Sequence, residues 1–276
     1  MGVARAKQEA LVRLVALDLD GTLLRSDGSI SGRTRRALNC AKARGLLLLF
    51  VTARPPRRAR LVTDGPELSS VAICGNGSLV YDLSTDTVLQ EHRLRGDHAA
   101  LLVESLRTAV PGVSFAVEVG SSYGCEPAYS IPHEHSLDRT DPLMRRAEAL
   151  ELCREGVTKL IVQQDDWPLP ELWRMVSVFA SSRAVVTASG SSLIEVSAPG
   201  VSKAAALAAH CAARGVAPEE VLAFGNMPND LSMLRWAGRS IAVANAHPAV
   251  LAAADAVTRS NDSDGVAFAL ERFGYA

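Results

Sequence analysis

Aromatic residues are scarce in this chain. Only 5% of its 276 residues are Phe, Trp or Tyr, so Ala, Val and Leu must carry the packing. Long apolar runs are missing as well: no stretch of about 18 such residues occurs, which removes a membrane-spanning helix from the expectations. Residues 1–9 are charged and lack the apolar core of a secretory signal peptide. Neither charge sign dominates. The 29 Lys and Arg against 30 Asp and Glu leave a net charge of -1, whereas a general nucleic-acid binder carries a basic surplus. Five cysteines (Cys40, Cys74, Cys125, Cys153 and Cys211) show no C-x-x-C spacing, which argues for buried or incidental thiols over a zinc site or a disulfide frame. Repeats and low-complexity segments are absent. These absences describe a soluble, cytoplasmic protein with no nucleic-acid or membrane partner, and they leave its oligomeric state open. With 48% apolar and 21% charged residues, the chain can bury a sizeable core, in one large domain or two smaller ones.

What is present is a set of buried strands that end in polar groups. Residues 13–17 form a mostly apolar run that leads into Asp18, Leu19, Asp20, Gly21 and Thr22. A short continuous apolar run reads as a strand of a parallel sheet, buried on both faces. On an extended chain, side chains two apart share a face, so Asp18 and Asp20 start from the same side. Their mutual repulsion calls for a counter-charge, and a hard cation such as Mg2+ takes oxygen ligands of this kind together with substrate phosphate. Gly21 permits a sharp turn out of the strand.

The pattern recurs along the chain. Ser31 caps a helix that stops at Gly45, and Leu46 to Val51 is a second buried strand, ending in Thr52, Ala53 and Arg54. Pro55 and Pro56 suit the first turn of the next helix. A third strand, Val71 to Cys74, closes in Gly75, Asn76 and Gly77. Beyond Ser78 the rhythm changes to an irregular alternation of strands and helices, including a helix expected near Pro142–Leu152, which suggests an α+β insert. From about Leu193 the earlier rhythm resumes: Lys203 opens an Ala-rich helix, and Val221 to Phe224 is a buried strand leading to Gly225, Asn226, Asn229 and Asp230. The expected fold is therefore α/β: a doubly wound, mostly parallel, Rossmann-like sheet formed by residues 1–78 and 189–276, with an α+β cap domain at 79–188. In such a sheet the strand ends converge on one crevice. Carboxylates, an amide, a hydroxyl and a lysine gathered there suit a phosphate monoester held with Mg2+.

These words, in this order, resemble the haloacid dehalogenase superfamily of phosphohydrolases and its Cof-type, sugar-phosphatase-like branch. Asp18 to Leu23 looks like the first motif, Val51 to Arg54 the second, Gly200 to Lys203 the third and Phe224 to Asp230 the fourth. The resemblance implies Asp18 as nucleophile and magnesium ligand, and Asp20 as general acid and base that also touches the metal through its main-chain carbonyl. Thr52 and Lys203 would bind the phosphoryl group, with Gly21, Ala53, Arg54, Asn76 and Asn229 beside the substrate. Asn226 and Asp230 would complete the metal shell. A phosphatase acting on a small phosphorylated metabolite through an aspartyl-phosphate is the reading this implies. A phosphomutase of the same superfamily is the alternative. A second alternative is a weakly active or non-catalytic phosphometabolite binder, because the fourth motif usually begins Gly-Asp and this chain has Gly225-Asn226.

Other residues carry plainer expectations. His133 and His135, flanking Glu134 in a Pro-containing loop, read as solvated. Trp167 and Trp173 read as packing residues. Arg57 and Arg58 read as a solvated helix face, and Cys74 as a small buried residue.

Overall fold

The computed structural model describes residues 11–62, 67–131, 144–189 and 193–276. Its strands are β1 (Leu14–Leu17), β2 (Leu47–Val51), β3 (Val71–Cys74), β4 (Leu79–Asp82), β5 (Thr87–Glu91), β6 (Ser114–Val119), β7 (Ser122–Cys125), β8 (Met144–Arg146), β9 (Lys159–Gln163), β10 (Val185–Ser189), β11 (Leu193–Ser197), β12 (Val221–Gly225), β13 (Arg239–Ala242) and β14 (Ala256–Val257). Its helices are α1 (Gly32–Ala43), α2 (Pro56–Val62), α3 (Gly96–Ala109), α4 (Ala149–Leu152), α5 (Leu169–Ala180), α6 (Lys203–Ala212), α7 (Leu231–Trp236), α8 (Pro248–Ala253) and α9 (Gly265–Arg272). None of the described helices is long and apolar enough to cross a membrane.

The strands form two sheets, ordered β14-β13-β12-β1-β2-β3-β4-β5 and β10-β11-β9-β6-β7-β8. The chain divides into two compact units. The first comprises residues 1–52, 60–72 and 203–276, and the second comprises residues 53–59 and 73–202, so β3 begins in one and ends in the other.

In the first unit, β1 lies between β12 and β2, parallel to both, and β13 and β14 continue the parallel run. All four residues of β1 and all five of β12 are buried, as an interior strand of a parallel sheet requires. Register sets Leu17 opposite both Phe224 and Phe50, so Asp18, Thr52 and Asn226 all leave the sheet at the same end. Helix α1 packs on α9, while α6, α7 and α8 pack as a second group. The side chain of Ser31 accepts a hydrogen bond from the Thr34 N–H and caps α1.

In the second unit, β6, β9, β10 and β11 are antiparallel neighbours, and β8 adds to β7 in parallel. Residues alternate faces along these strands. Phe115, Val117, Leu160, Val162, Ile194 and Val196 join the apolar faces of α3 and α5, whereas Ala116, Ile161 and Leu193 pack with Tyr123, Tyr129 and Ile131. Trp167 and Trp173 pack against the first of these clusters, as expected of them.

Several expectations are corrected here. Strand β11, expected to return to the first sheet, instead pairs with β10 and β9. The helix expected over 142–152 is a strand at 144–146 followed by the single turn of α4, because β7 offers an edge that captures this stretch by tertiary pairing. Arg57 is not a solvated residue: its side chain is 13% exposed, faces Glu118 and lies over the Tyr123 ring. His133, Glu134, His135, Pro142 and Gly190 lie outside the described residues. Cys74, Cys125, Cys153 and Cys211 are buried free thiols, and burial pushes the Cys74 thiol far above its usual range.

Candidate active site

Asp18 follows β1, and its N–H donates to the Phe224 carbonyl at 3.2 Å, one step beyond the β1–β12 ladder. The chain then turns at once. Asp20 (φ -71°, ψ 117°) and Gly21 (φ +71°) break the helical path over residues 19–23, and Gly21 supplies the left-handed step that a side chain would oppose. Space makes a second demand there, since a Cβ on Gly21 would lie 2.4 Å from Asn226 Nδ2. Asp20 is exposed, whereas Asp18 and Thr22 are buried.

Lys203 is the first residue of α6 and is buried. Its ammonium donates to Asp18 Oδ1 and to Asp230 Oδ1, both at 2.6 Å. Two buried carboxylates therefore share one cation, and the trio carries a net charge of -1. Burial would lower the Lys203 pKa, but Asp18 and Asp230 together raise it above the usual lysine range. Burial, and after it the Asp230 carboxylate, push the Asp18 pKa up to about 7 against the pull of Lys203.

Asp230 closes the short Pro228–Asp230 turn before α7. Its Oδ2 accepts the Asn226 and Met227 N–H groups, each at 2.9 Å. Both Asp230 oxygens thus accept hydrogen bonds, and Oδ1, which takes only the Lys203 proton, keeps a lone pair for a further partner. Gly225 makes the turn possible, because a Cβ there would lie 2.7 Å from the Asp230 Cβ. Asn229 is half-buried on the same turn, and Thr52 is fully buried just beyond β2. The first unit thus gathers Asp18, Asp20, Gly21, Thr52, Lys203, Asn226, Asn229 and Asp230.

Ala53, Arg54 and Asn76 belong to the second unit. There Asn76 sits in a left-handed turn (φ +57°), a conformation Asn tolerates, and its Nδ2 donates to Glu195 Oε2 at 3.0 Å. The Arg54 carbonyl accepts from the Gly75 N–H at 3.0 Å.

The oxygens left over test whether the first unit suits a hard cation. Asn226 Oδ1 and Thr22 Oγ1 are buried without a hydrogen-bond partner. A buried acceptor with no donor is costly unless something else satisfies it. Among the described residues no three Asp, Glu, His or Cys side chains converge as a ligand cluster. Such a cluster counts neither amide nor main-chain oxygens, and position 226 is an amide. The donor set is all oxygen and the trio is anionic, so these residues fit Mg2+.

Residue-type reasoning passed over the groups that hold the turn after Asp18. Asn245 Nδ2 donates to the Gly21 carbonyl at 2.8 Å. Its Oδ1 accepts the Asn261 N–H at 3.0 Å, and Asn261 Nδ2 donates to the Leu24 carbonyl at 3.0 Å. The resemblance to the family branch extends to Asn245-Ala246 and to the Ser260–Gly265 stretch that holds Asn261, but it assigned neither asparagine a role.

Residues 15–270 match the family model described as haloacid dehalogenase-like hydrolase. The chain belongs to that family. Within it, the chain falls in the Cof-type branch, and it is an enzyme of the phosphatase type. It is 30% identical over 271 residues to the 5-amino-6-(5-phospho-D-ribitylamino)uracil phosphatase YcsE of Bacillus subtilis, covering 97% of this chain and 98% of that protein. It is also 30% identical over 264 residues to the pyridoxal phosphate phosphatase YbhA of Escherichia coli, covering 92% and 96%. Among solved structures, SMU.1108c of Streptococcus mutans superposes with a TM-score of 0.83 at 25% identity, covering 96% of this chain and all of that one.

Proposed function

We propose that this haloacid dehalogenase-type enzyme hydrolyses the phosphate monoester of a small metabolite through an aspartyl-phosphate on Asp18. The observation that carries the reading is the buried Lys203 ammonium held between Asp18 and Asp230 at 2.6 Å from each. An ammonium locked beside a carboxylate supplies fixed positive charge where the transferring phosphoryl group would gather negative charge. The relatives support the substrate class, since YcsE and YbhA are both named as phosphatases of small phosphorylated molecules.

In this reading Asp18 attacks phosphorus through Oδ2 while Lys203 keeps the carboxylate oriented through Oδ1. The ester oxygen leaves as the P–O bond breaks and takes its proton from Asp20. Asp20 then draws a proton from the water that attacks the acyl phosphate and returns Asp18 as a carboxylate. Thr52 and Lys203 donate to the phosphoryl oxygens, and Gly21 and Asn229 border the substrate. Mg2+ would be held by Asp18, the Asp20 carbonyl, Asn226 and Asp230, and when bound it supplies charge neutralisation at the phosphoryl oxygens. A cytoplasmic setting suits the substrate, because phosphorylated metabolites do not cross an apolar barrier unaided.

The test is release of inorganic phosphate from a panel of small monoesters, with Mg2+ present and again after chelation. Release that requires Mg2+ is the expected result. No release from any ester at millimolar Mg2+ overturns the reading.

Asn226 sharpens the metal part. Asn226→Asp places a carboxylate where the orphaned amide oxygen now lies, and ligand charge tunes the affinity of such oxygen sites. The half-saturating Mg2+ concentration for phosphate release should fall about tenfold. An unchanged or higher Mg2+ requirement would show that position 226 does not face the ion.

A further inference from the structure

Two carboxylates, an ammonium and a guanidinium lie together in the second unit, and the chemistry above uses none of them. Sheet parity assembles them. Residues 115 and 117 of β6, 160 and 162 of β9, and 194 and 196 of β11 join the cluster that packs with α3 and α5. Glu118, Lys159 and Glu195 therefore fall on the opposite face, with Ala116, Ile161 and Leu193. Register sets Glu118 directly across from Lys159 and sets Glu195 across from Ile161, one diagonal step from Lys159.

The Lys159 ammonium is buried, and its three protons meet three acceptors. It donates to Glu195 Oε1 at 2.7 Å and to the Ala53 carbonyl at 2.9 Å, and it lies 3.5 Å from Glu118 Oε2. Glu118 also faces Arg57 Nη2 at 3.4 Å, and Glu195 receives Asn76 Nδ2. Lys159, Glu118 and Glu195 are buried, so these charges meet with little access to water. Burial alone would lower the Lys159 pKa, but the two glutamates raise it on balance, so the ammonium stays charged.

What makes this arrangement more than a buried ion pair is the third acceptor. Ala53 is bonded directly to Thr52, and the next carbonyl, that of Arg54, is held by the Gly75 N–H. Two successive carbonyls of the segment leaving Thr52 are thereby anchored, the first by a full charge in a buried seat. We propose that Lys159 is a positioning residue for Thr52: through the Ala53 carbonyl it fixes the chain on which the Thr52 hydroxyl and the following N–H groups are mounted. The inference rests on the phosphatase reading, in which Thr52 binds the phosphoryl group. Small displacements of such a group are costly, because binding and orientation depend on sub-ångström placement.

The test compares the parent protein with Lys159→Met, Lys159→Arg and the charge-balanced pair Lys159→Met/Glu195→Gln. Two readouts are taken: steady-state hydrolysis of p-nitrophenyl phosphate, and amide hydrogen exchange of the peptide spanning residues 50–59. In Lys159→Met, KM should rise about tenfold with kcat within about threefold, since a mispositioned hydroxyl loses binding that ground and transition states share. Exchange over residues 50–59 should quicken while the α6 peptide stays as in the parent. Lys159→Arg, which keeps a buried donor, should recover much of the loss. If Lys159→Met fails to fold, the charge-balanced pair carries the comparison with the same expected outcome. A folded variant lacking the ammonium but showing parental KM and parental exchange over 50–59 overturns the proposal. Should the parent itself release no phosphate, the phosphatase reading falls alone, and the exchange comparison still decides whether Lys159 holds this segment.

Discussion

Asp18→Asn should lose at least about 10⁴-fold in kcat while keeping its fold. The amide matches the carboxylate in shape, and its oxygen can still accept the proton that Lys203 now donates to Oδ1 at 2.6 Å. It cannot attack phosphorus, and it offers no charge to a cation. The variant should melt at or slightly above the parent temperature. The substitution removes one of two buried carboxylates that now repel each other across a single ammonium, a repulsion that helps raise the Asp18 pKa to about 7. Phosphate release and a thermal melt together make the check. Turnover at the parental rate would show that the nucleophile lies elsewhere.

Lys203→Met should have the opposite stability signature and an equally large catalytic one. Removing the ammonium leaves Asp18 and Asp230 buried without their shared partner. Stranding a buried charge in this way costs about 3–5 kcal/mol, which for a chain of this size lowers the melting temperature by about 10 °C. Turnover should fall about 10³-fold, because the fixed charge facing the phosphoryl group is gone. The pair Lys203→Met/Asp230→Asn separates the two effects. Restoring the parental net charge of this cluster should recover part of the melting temperature and none of the rate, and the coupling between the two sites should exceed about 1 kcal/mol in a double-mutant cycle. If Lys203→Met melts with the parent and the cycle shows no coupling, the trio is not an electrostatic unit.

The candidate site was legible wherever its residues lie next to the strands that deliver them. Asp18, Thr52 and Asn226 each follow an apolar run, and the parallel register of β1, β2 and β12 brings those ends level. Lys203 was legible as the first residue of an Ala-rich helix, but its contacts were not. That it touches Asp230, and that Asp230 spends its other oxygen on two N–H groups of its own turn, depends on how α6 and that turn pack. The second unit was harder to read. Its strand-like and helix-like words were visible, yet a word does not state which edge it will join, so β8 was read as part of a helix and the partners of β11 were not foreseen. Arg57 misled for the same reason: an arginine in the first turn of a helix has no local mark showing that Glu118, 61 residues later, waits for it.

By itself the amino-acid sequence determined the local chemistry of this protein. Continuous apolar runs define buried strands because only a strand covered on both faces can bury every residue, and the polar group after each run must sit at the strand's end. Periodicity, caps and glycines act over a few residues, so the order of Asp18, Thr52, Lys203 and Asp230 along an α/β chain could be read directly. Tertiary structure alone decided which of these groups share a proton, a charge or a carbonyl. Strand order and register bring Glu118, Lys159 and Glu195 onto one buried face across up to 77 residues of chain, and they carry Asn245 to the Gly21 carbonyl across 224. Such contacts form because a buried charge or an unpaired carbonyl must find a partner once the sheets exclude water. That requirement arises only in the folded chain, so no single segment can announce how it will be met.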